Sequence, residues 1–137
     1  MLLAVLYRRW GVLAFTVIAI AVTDAAVAAL KALIDRPRPP LRYAEPKPLV
    51  PTPHDASFPS GHAATSFVAA TMLSFAFPRL RLPFALLAAA VAFSRVYVGV
   101  HYPLDVIGGA VLGVLIAALL AWLIQRRVAT GSNSAGG

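Results

Sequence analysis

VIGGAVLGVLIAALLAWLIQ, residues 106–125, runs for twenty residues without a charge between Asp105 and Arg126. A helix that crosses the hydrocarbon core of a bilayer needs about twenty such residues, so this stretch spans by itself. Its Gly108, Gly109 and Gly113 suit close helix packing in lipid, where small residues let backbones approach. Working outward, three further apolar stretches appear. Residues 10–33 carry Asp24 in the middle and Lys31 near the end, residues 63–78 are uncharged but short, and residues 82–100 are interrupted by Arg95. The two shorter stretches also fit core helices of a soluble bundle. The whole chain decides between these readings: of 137 residues, 60% are hydrophobic and 12% charged, with a mean hydropathy of +0.80. That composition excludes a disordered chain and argues against an ordinary soluble one.

The charges give an orientation. A net charge of +7 in a soluble chain would suggest nucleic acid, but the apolar excess points to a membrane and away from a nucleic-acid partner. For a chain that crosses four times, Arg8/Arg9, Arg79/Arg81 and Arg126/Arg127 fall on one side. The other side holds Lys31, Arg36, Arg38, Arg42, Lys47 and Arg95, offset by Asp35, Glu45, Asp55 and Asp105. The unbalanced basic side is expected inside, which puts the mixed side in the periplasmic or extracellular space. The expectation is an all-α integral membrane bundle of about four transmembrane helices. It comprises a transmembrane domain over 1–127 and a disordered polar tail over 128–137. Absence of cysteine excludes disulfides and thiolate metal sites. The start of the chain resembles a signal peptide, with Arg8/Arg9 ahead of an apolar run, but Lys31 beyond it belongs to the chemistry below. Residues 1–6 are apolar and too short to span, so helices upstream are expected to be missing. The proline-rich stretch 35–59 is the long loop, expected to be extended or turned and not helical.

Three clusters gather on the mixed side, all at helix ends. They are Lys31 through Arg38-Pro39, then Pro59-Ser60-Gly61-His62, then Ser94-Arg95 followed by His101 and Asp105. Lys31, Arg38 and Arg95 are cationic donors, and arginines bind phosphate oxygens in bidentate fashion. Ser60 is placed to cap the helix starting near Gly61, whose free N–H groups and positive dipole end attract an anion. Any one of these cations alone would more often meet a lipid headgroup; three converging with two histidines describe a phosphate site. Pro103 fits the first turn of the last helix. His101 and Asp105 are four apart, so the carboxylate is expected to accept from one imidazole nitrogen and leave the other free as a nucleophile toward phosphorus. His62 is then the general acid for the leaving oxygen. No cluster of metal-ligand type is visible, and the reading calls for no metal and no cofactor. Asp24 inside a span is either functional or a structural hydrogen-bonding group. His54 reads as a solvated loop residue, and Tyr43, Tyr97 and Tyr102 as interfacial anchors.

Written as Lys-x6-Arg-Pro, Pro-Ser-Gly-His and Ser-Arg-x5-His-x3-Asp, these clusters resemble the three-part signature of the type 2 phosphatidic acid phosphatase superfamily. That superfamily also holds vanadium-dependent haloperoxidases and bacterial acid phosphatases. The resemblance covers about residues 31–105. It implies a metal-independent phosphatase working through a phosphohistidine: His101 attacking, Asp105 orienting it, His62 protonating the leaving group, and Lys31, Arg38, Ser60, Gly61 and Arg95 binding phosphoryl oxygens. It also implies a six-helix relative whose last four helices carry the motifs, so this chain is expected to lack the first pair. A site at the ends of spanning helices meets headgroups. The expected substrate is therefore a lipid phosphate or diphosphate in the bilayer, of the prenyl (undecaprenyl) diphosphate, phosphatidic acid or phosphatidylglycerophosphate class. Two alternatives remain: a truncated lipid-headgroup-binding membrane protein without turnover, and a vanadate-dependent haloperoxidase, which the hydropathy opposes.

Overall fold

The computed structural model describes the backbone of residues 2–133 and the side chains of residues 10–126. It is all helical over the described residues. The elements are α1 (Leu2–Ile34), a single turn α2 (Pro39–Arg42), α3 (Gly61–Ala76), α4 (Arg81–Tyr97) and α5 (Pro103–Asn133), with a 3-10 turn at Pro78–Leu80 before α4. The backbone of α5 runs on into the segment expected as a polar tail; the side chains beyond 126 and residues 134–137 lie outside the described residues.

Among the described residues, three stretches are long and apolar enough to cross a membrane: Trp10–Arg42, Pro78–Tyr97 and Pro103–Arg126. The fourth expected crossing, α3, has 16 residues. It therefore rises only ~24 Å, short of the roughly 30 Å hydrocarbon core. Its place in the bundle explains how it can be short: α3 is the central helix, touching α1, α4 and α5. It buries Ala63, Ala64, Val68 and Met72. The proline-rich stretch also departs from expectation, since Pro39 and Pro40 open the one-turn helix α2. Proline is tolerated in a first helical turn, where its missing N–H has no partner to lose.

What is buried is mostly small. Ala19, Val68, Met72 and Ala117 form the core between α1, α3 and α5, while Leu13, Val17, Ile18, Val111, Leu115 and Leu119 face outward. That inversion is what a bilayer favours, because lipid gives large apolar side chains no reason to turn inward. The α3/α5 seam shows the cause directly. A Cβ on Gly109 would strike the Ser60 carbonyl, with the Ala63 methyl at 3.1 Å; one on Gly113 would strike the Ala64 carbonyl, with the Val68 nitrogen at 2.9 Å. Only hydrogen at these two positions lets α5 lie against the backbone of α3. Within α1, the buried Thr16 and Thr23 hydroxyls donate back to the carbonyls of Val12 and Ala19 at 2.8 Å, so neither is left unsatisfied. Asp24 accepts from Thr65 Oγ1 at 3.0 Å, a structural tie between α1 and α3.

Each connection reverses the chain. The end of α1, the start of α3, the end of α4 and the start of α5 therefore meet at one end of the bundle. Asp35, with φ at 42°, ends α1 in a left-handed turn after its N–H bonds to the Lys31 carbonyl. That turn sends Arg36 and Arg38 back over the helix ends. The long loop is stitched to the same end by Leu49 N–H to the Val98 carbonyl (3.0 Å), Ser57 N–H to the Arg36 carbonyl (2.8 Å) and Ser60 N–H to the Asp105 carbonyl (2.9 Å).

Candidate active site

Ser60 caps α3 as the sequence implies: its backbone is extended, and its side chain accepts from the Ala63 N–H at 3.4 Å. The first turn of α3, with Gly61 and His62, thus opens onto the helix ends where the three clusters converge. His62 is exposed and makes no hydrogen bond among the described residues. Partial burial, and next the charges of Arg95, Lys31 and Arg38, hold its imidazole below the ordinary 6.5. Arg95 is half-buried and its Nε donates to Ser94 Oγ at 3.1 Å. All eight residues singled out from sequence therefore lie at one end of the bundle.

The centre of the cluster is Arg38, only 2% exposed. Its Nη1 donates to the Val100 carbonyl and meets His101 Nε2, both at 3.0 Å. Its Nε donates to the Asp55 carbonyl at 2.9 Å and its Nη2 to Asp55 Oδ1 at 2.6 Å. Lys31 pairs with the other Asp55 oxygen. A guanidinium has donors only, so its contact with His101 Nε2 is possible only if that nitrogen is bare. The imidazole proton must then sit on Nδ1. Burial, and next the Arg38 charge against the ring, push His101 down from 6.5 to about 4. Near neutral pH the ring is uncharged, with its lone pair directed at Arg38.

The expected hydrogen bond from His101 to Asp105 is not made. Nδ1 lies 3.6 Å from Asp105 Oδ2, beyond hydrogen-bond distance. The reason is that His101 precedes α5, which starts at Pro103, so helical i,i+4 geometry does not apply to the pair. The fully buried carboxylate is held by other groups. Oδ1 accepts from Arg36 Nη1 at 2.6 Å, while Oδ2 accepts from Ser57 Oγ and from the Tyr102 N–H at 2.8 Å. The Arg36 guanidinium also stacks over the Tyr102 ring at 4.1 Å. Arg36, Ser57 and Asp55 are residues that sequence reading passed over for the site. The only signal was their position beside the motifs, on either side of the loop that folds back. His54, one residue from Asp55, is exposed as expected. Among the described residues no group of three or more His, Asp or Glu is placed to hold a metal.

The fold and cluster define a membrane helical bundle with a buried histidine, two arginines, a lysine and two carboxylates joined at one end. Comparison with known proteins narrows this: residues 11–129 match the sequence model of the PAP2 superfamily. The chain belongs to that family. It is 43% identical over 82 residues to an undecaprenyl-diphosphatase of Sulfolobus acidocaldarius, covering 58% of this chain and 40% of the relative. It is also 40% identical over 116 residues to a decaprenylphosphoryl-5-phosphoribose phosphatase of Mycobacterium tuberculosis, covering 82% and 60%. Among solved structures, a transmembrane PAP2-type phosphatidylglycerolphosphate phosphatase from Bacillus subtilis superposes with a TM-score of 0.68 at 30% identity. That match covers 82% of this chain and 58% of the other. The chain thus spans less than two thirds of the length of each of these relatives.

Proposed function

We propose that this chain carries the catalytic site of a membrane lipid phosphatase that works without metal, through a phosphohistidine at His101. The observation that carries the reading is the place of that ring: buried, with Nε2 in contact with the Arg38 guanidinium, which only a bare nitrogen can accept. A neutral imidazole in a pocket of cations is a nucleophile facing the place where a phosphate would sit. Support for the substrate class comes from position, since a site at the ends of spanning helices meets lipid headgroups, and from the lipid-phosphate names of the relatives.

Arg38, Lys31 and Arg95 bind the phosphoryl oxygens, together with the free N–H groups at the Ser60-capped start of α3. Arg38 moves its Nη1 donor from His101 to the phosphate, which frees the Nε2 lone pair. Nε2 attacks phosphorus and forms the N–P bond as the P–O bond to the lipid breaks. The bound phosphate offsets the cations that hold His62 below its ordinary value, and His62, protonated there, gives its proton to the departing oxygen. Asp105, fixed by Arg36, Ser57 and Tyr102, stabilises the positive phosphoimidazole, whose Nδ1–H lies 3.6 Å away. Neutral His62 then takes a proton from water, which attacks phosphorus and releases phosphate and His101. The active end faces the outer side of the membrane, as the basic pairs near residues 79–81 and 126–127 at the opposite end imply.

The test is phosphate release by protein in detergent micelles with EDTA present, using a prenyl diphosphate and phosphatidic acid. Release that vanadate suppresses is the expected result, and the ratio of the two rates ranks the substrates. A folded sample that binds vanadate but releases nothing would replace turnover with headgroup binding.

A further inference from the structure

Asp55 divides its carboxylate between two of the cations of the site. One oxygen pairs with Lys31, the other accepts from Arg38 Nη2 at 2.6 Å, and the Asp55 carbonyl accepts from Arg38 Nε at 2.9 Å. With Nη1 already on Val100 and His101, Arg38 keeps only one of its five N–H donors uncommitted. A phosphoryl group that needs Lys31 and Arg38 therefore finds a carboxylate in its place. The two partners are held very differently. Arg38 is buried and anchored by the Val100 carbonyl, whereas the Asp55 side chain is 53% exposed and comes from the long loop. An ion pair half in water is screened and worth little, so an incoming anion of higher charge displaces Asp55 and leaves the cations where they are. Burial alone would raise the Asp55 carboxyl, yet its pairing with Lys31 and Arg38 carries it down to about 2. It is thus an anion whenever the site is in use.

We propose that Asp55 is a tethered anion that holds the phosphoryl subsite of the free protein and competes with substrate phosphate, and with released phosphate, for Lys31 and Arg38. The inference rests on the reading that these two cations bind phosphoryl oxygens. It makes Asp55 a positioning residue that sets affinity and the ease of product release. The opposite role, a carboxylate that merely props the cations in place, has the opposite signature: its removal would weaken anion binding.

The experiment is calorimetric titration of the detergent-solubilised chain with inorganic phosphate and with vanadate, in wild type, Asp55→Asn, Asp55→Ser and Asp55→Glu. Both charge-free variants are expected to bind each anion at least about tenfold more tightly, as expected when a charge that repels the ligand is removed from contact distance. Asp55→Glu is expected to stay near wild type. Where turnover is measured, KM falls in Asp55→Asn while kcat does not rise. Equal or weaker binding in Asp55→Asn and Asp55→Ser, with helix content and melting unchanged, overturns the proposal. Tighter anion binding without turnover on any lipid phosphate would overturn the phosphatase reading and leave this one standing. Anion binding absent from wild type and variants alike would overturn both.

Discussion

The α3/α5 seam and the cluster at its end lie within one turn of each other, yet they are held together by different physics. In the seam, Gly109 and Gly113 press α5 onto the backbone of α3 among Ala63, Ala64 and Val68, and no charge takes part. At the end, Arg36, Arg38, Lys31, Asp55 and Asp105 are joined almost wholly by charge-assisted hydrogen bonds. The seam constrains size and is indifferent to sign; the cluster constrains sign and tolerates modest changes of shape. The boundary between them is Ser60. Its carbonyl sits where a Gly109 Cβ would clash, and its side chain caps α3 at the end where the charged cluster lies.

The largest effect is expected where size is violated. Gly113→Val puts a branched side chain against the Ala64 carbonyl and the Val68 nitrogen, which cannot recede. Loss of the folded bundle, seen as aggregation in mild detergent, is the expected outcome, and Gly113→Ala is strongly destabilising as well, since its Cβ alone would strike the Ala64 carbonyl. A Gly113→Val protein as stable as wild type would break the comparison from the steric side. Next comes His101→Ala, which leaves the seam untouched. It should fold normally, yet lose phosphate release by about a thousandfold or more, as removal of a nucleophile does.

Arg36→Gln sharpens the electrostatic side. It removes one of the three donors to a fully buried carboxylate, so a drop in kcat of about tenfold is expected, with KM little changed. A rise in KM with kcat unchanged would move Arg36 from positioning to substrate contact.

The pH dependence of stability separates the two regions again. His101 is held near 4 against an ordinary 6.5, so between those values the unfolded chain binds a proton that the folded one refuses. Stability is fully present above 6.5, falls as pH drops through that window and stops falling through this group below about 4. The slope should be shallower in His101→Gln, where His62, also held below 6.5, still contributes, and intact in Val68→Ala, as read from melting temperatures across the range. The smallest effect is expected at His54, exposed and outside both regions. His54→Ala should hold activity within about twofold, as surface changes usually do.

Much of this was legible in the sequence because it is local. The uncharged run 106–125, the glycines within it, the Ser60 cap and Pro103 at the start of α5 each declare themselves within a few residues. The three clusters converge because each lies at a helix end on the same side. What was not legible are pairings across the proline-rich loop. Spacing suggested that Asp105 would bind His101; the structure gives the carboxylate to Arg36, 69 positions away, and to Ser57, 48 away. Spacing also offered Lys31 and Arg38 as free cations, and Asp55 takes both. Eight prolines (Pro37, Pro39, Pro40, Pro46, Pro48, Pro51, Pro53 and Pro59) fix many backbone angles between 35 and 59. A sequence pattern does not say how so many fixed turns add up in space. The length of α3 was legible as a short run, but only its central place in the bundle explains why a short helix suffices.

The most direct test of the account is to look for the phosphohistidine itself. The chain is mixed with a radiolabelled lipid phosphate, quenched in alkali within milliseconds, and the labelled peptide mapped. The expected result is an alkali-stable, acid-labile phosphoryl group on His101 that forms in wild type, accumulates when hydrolysis is slowed by His62→Ala with a good leaving group, and is absent from His101→Ala. Label on another residue, or full turnover in His101→Ala, would contradict it.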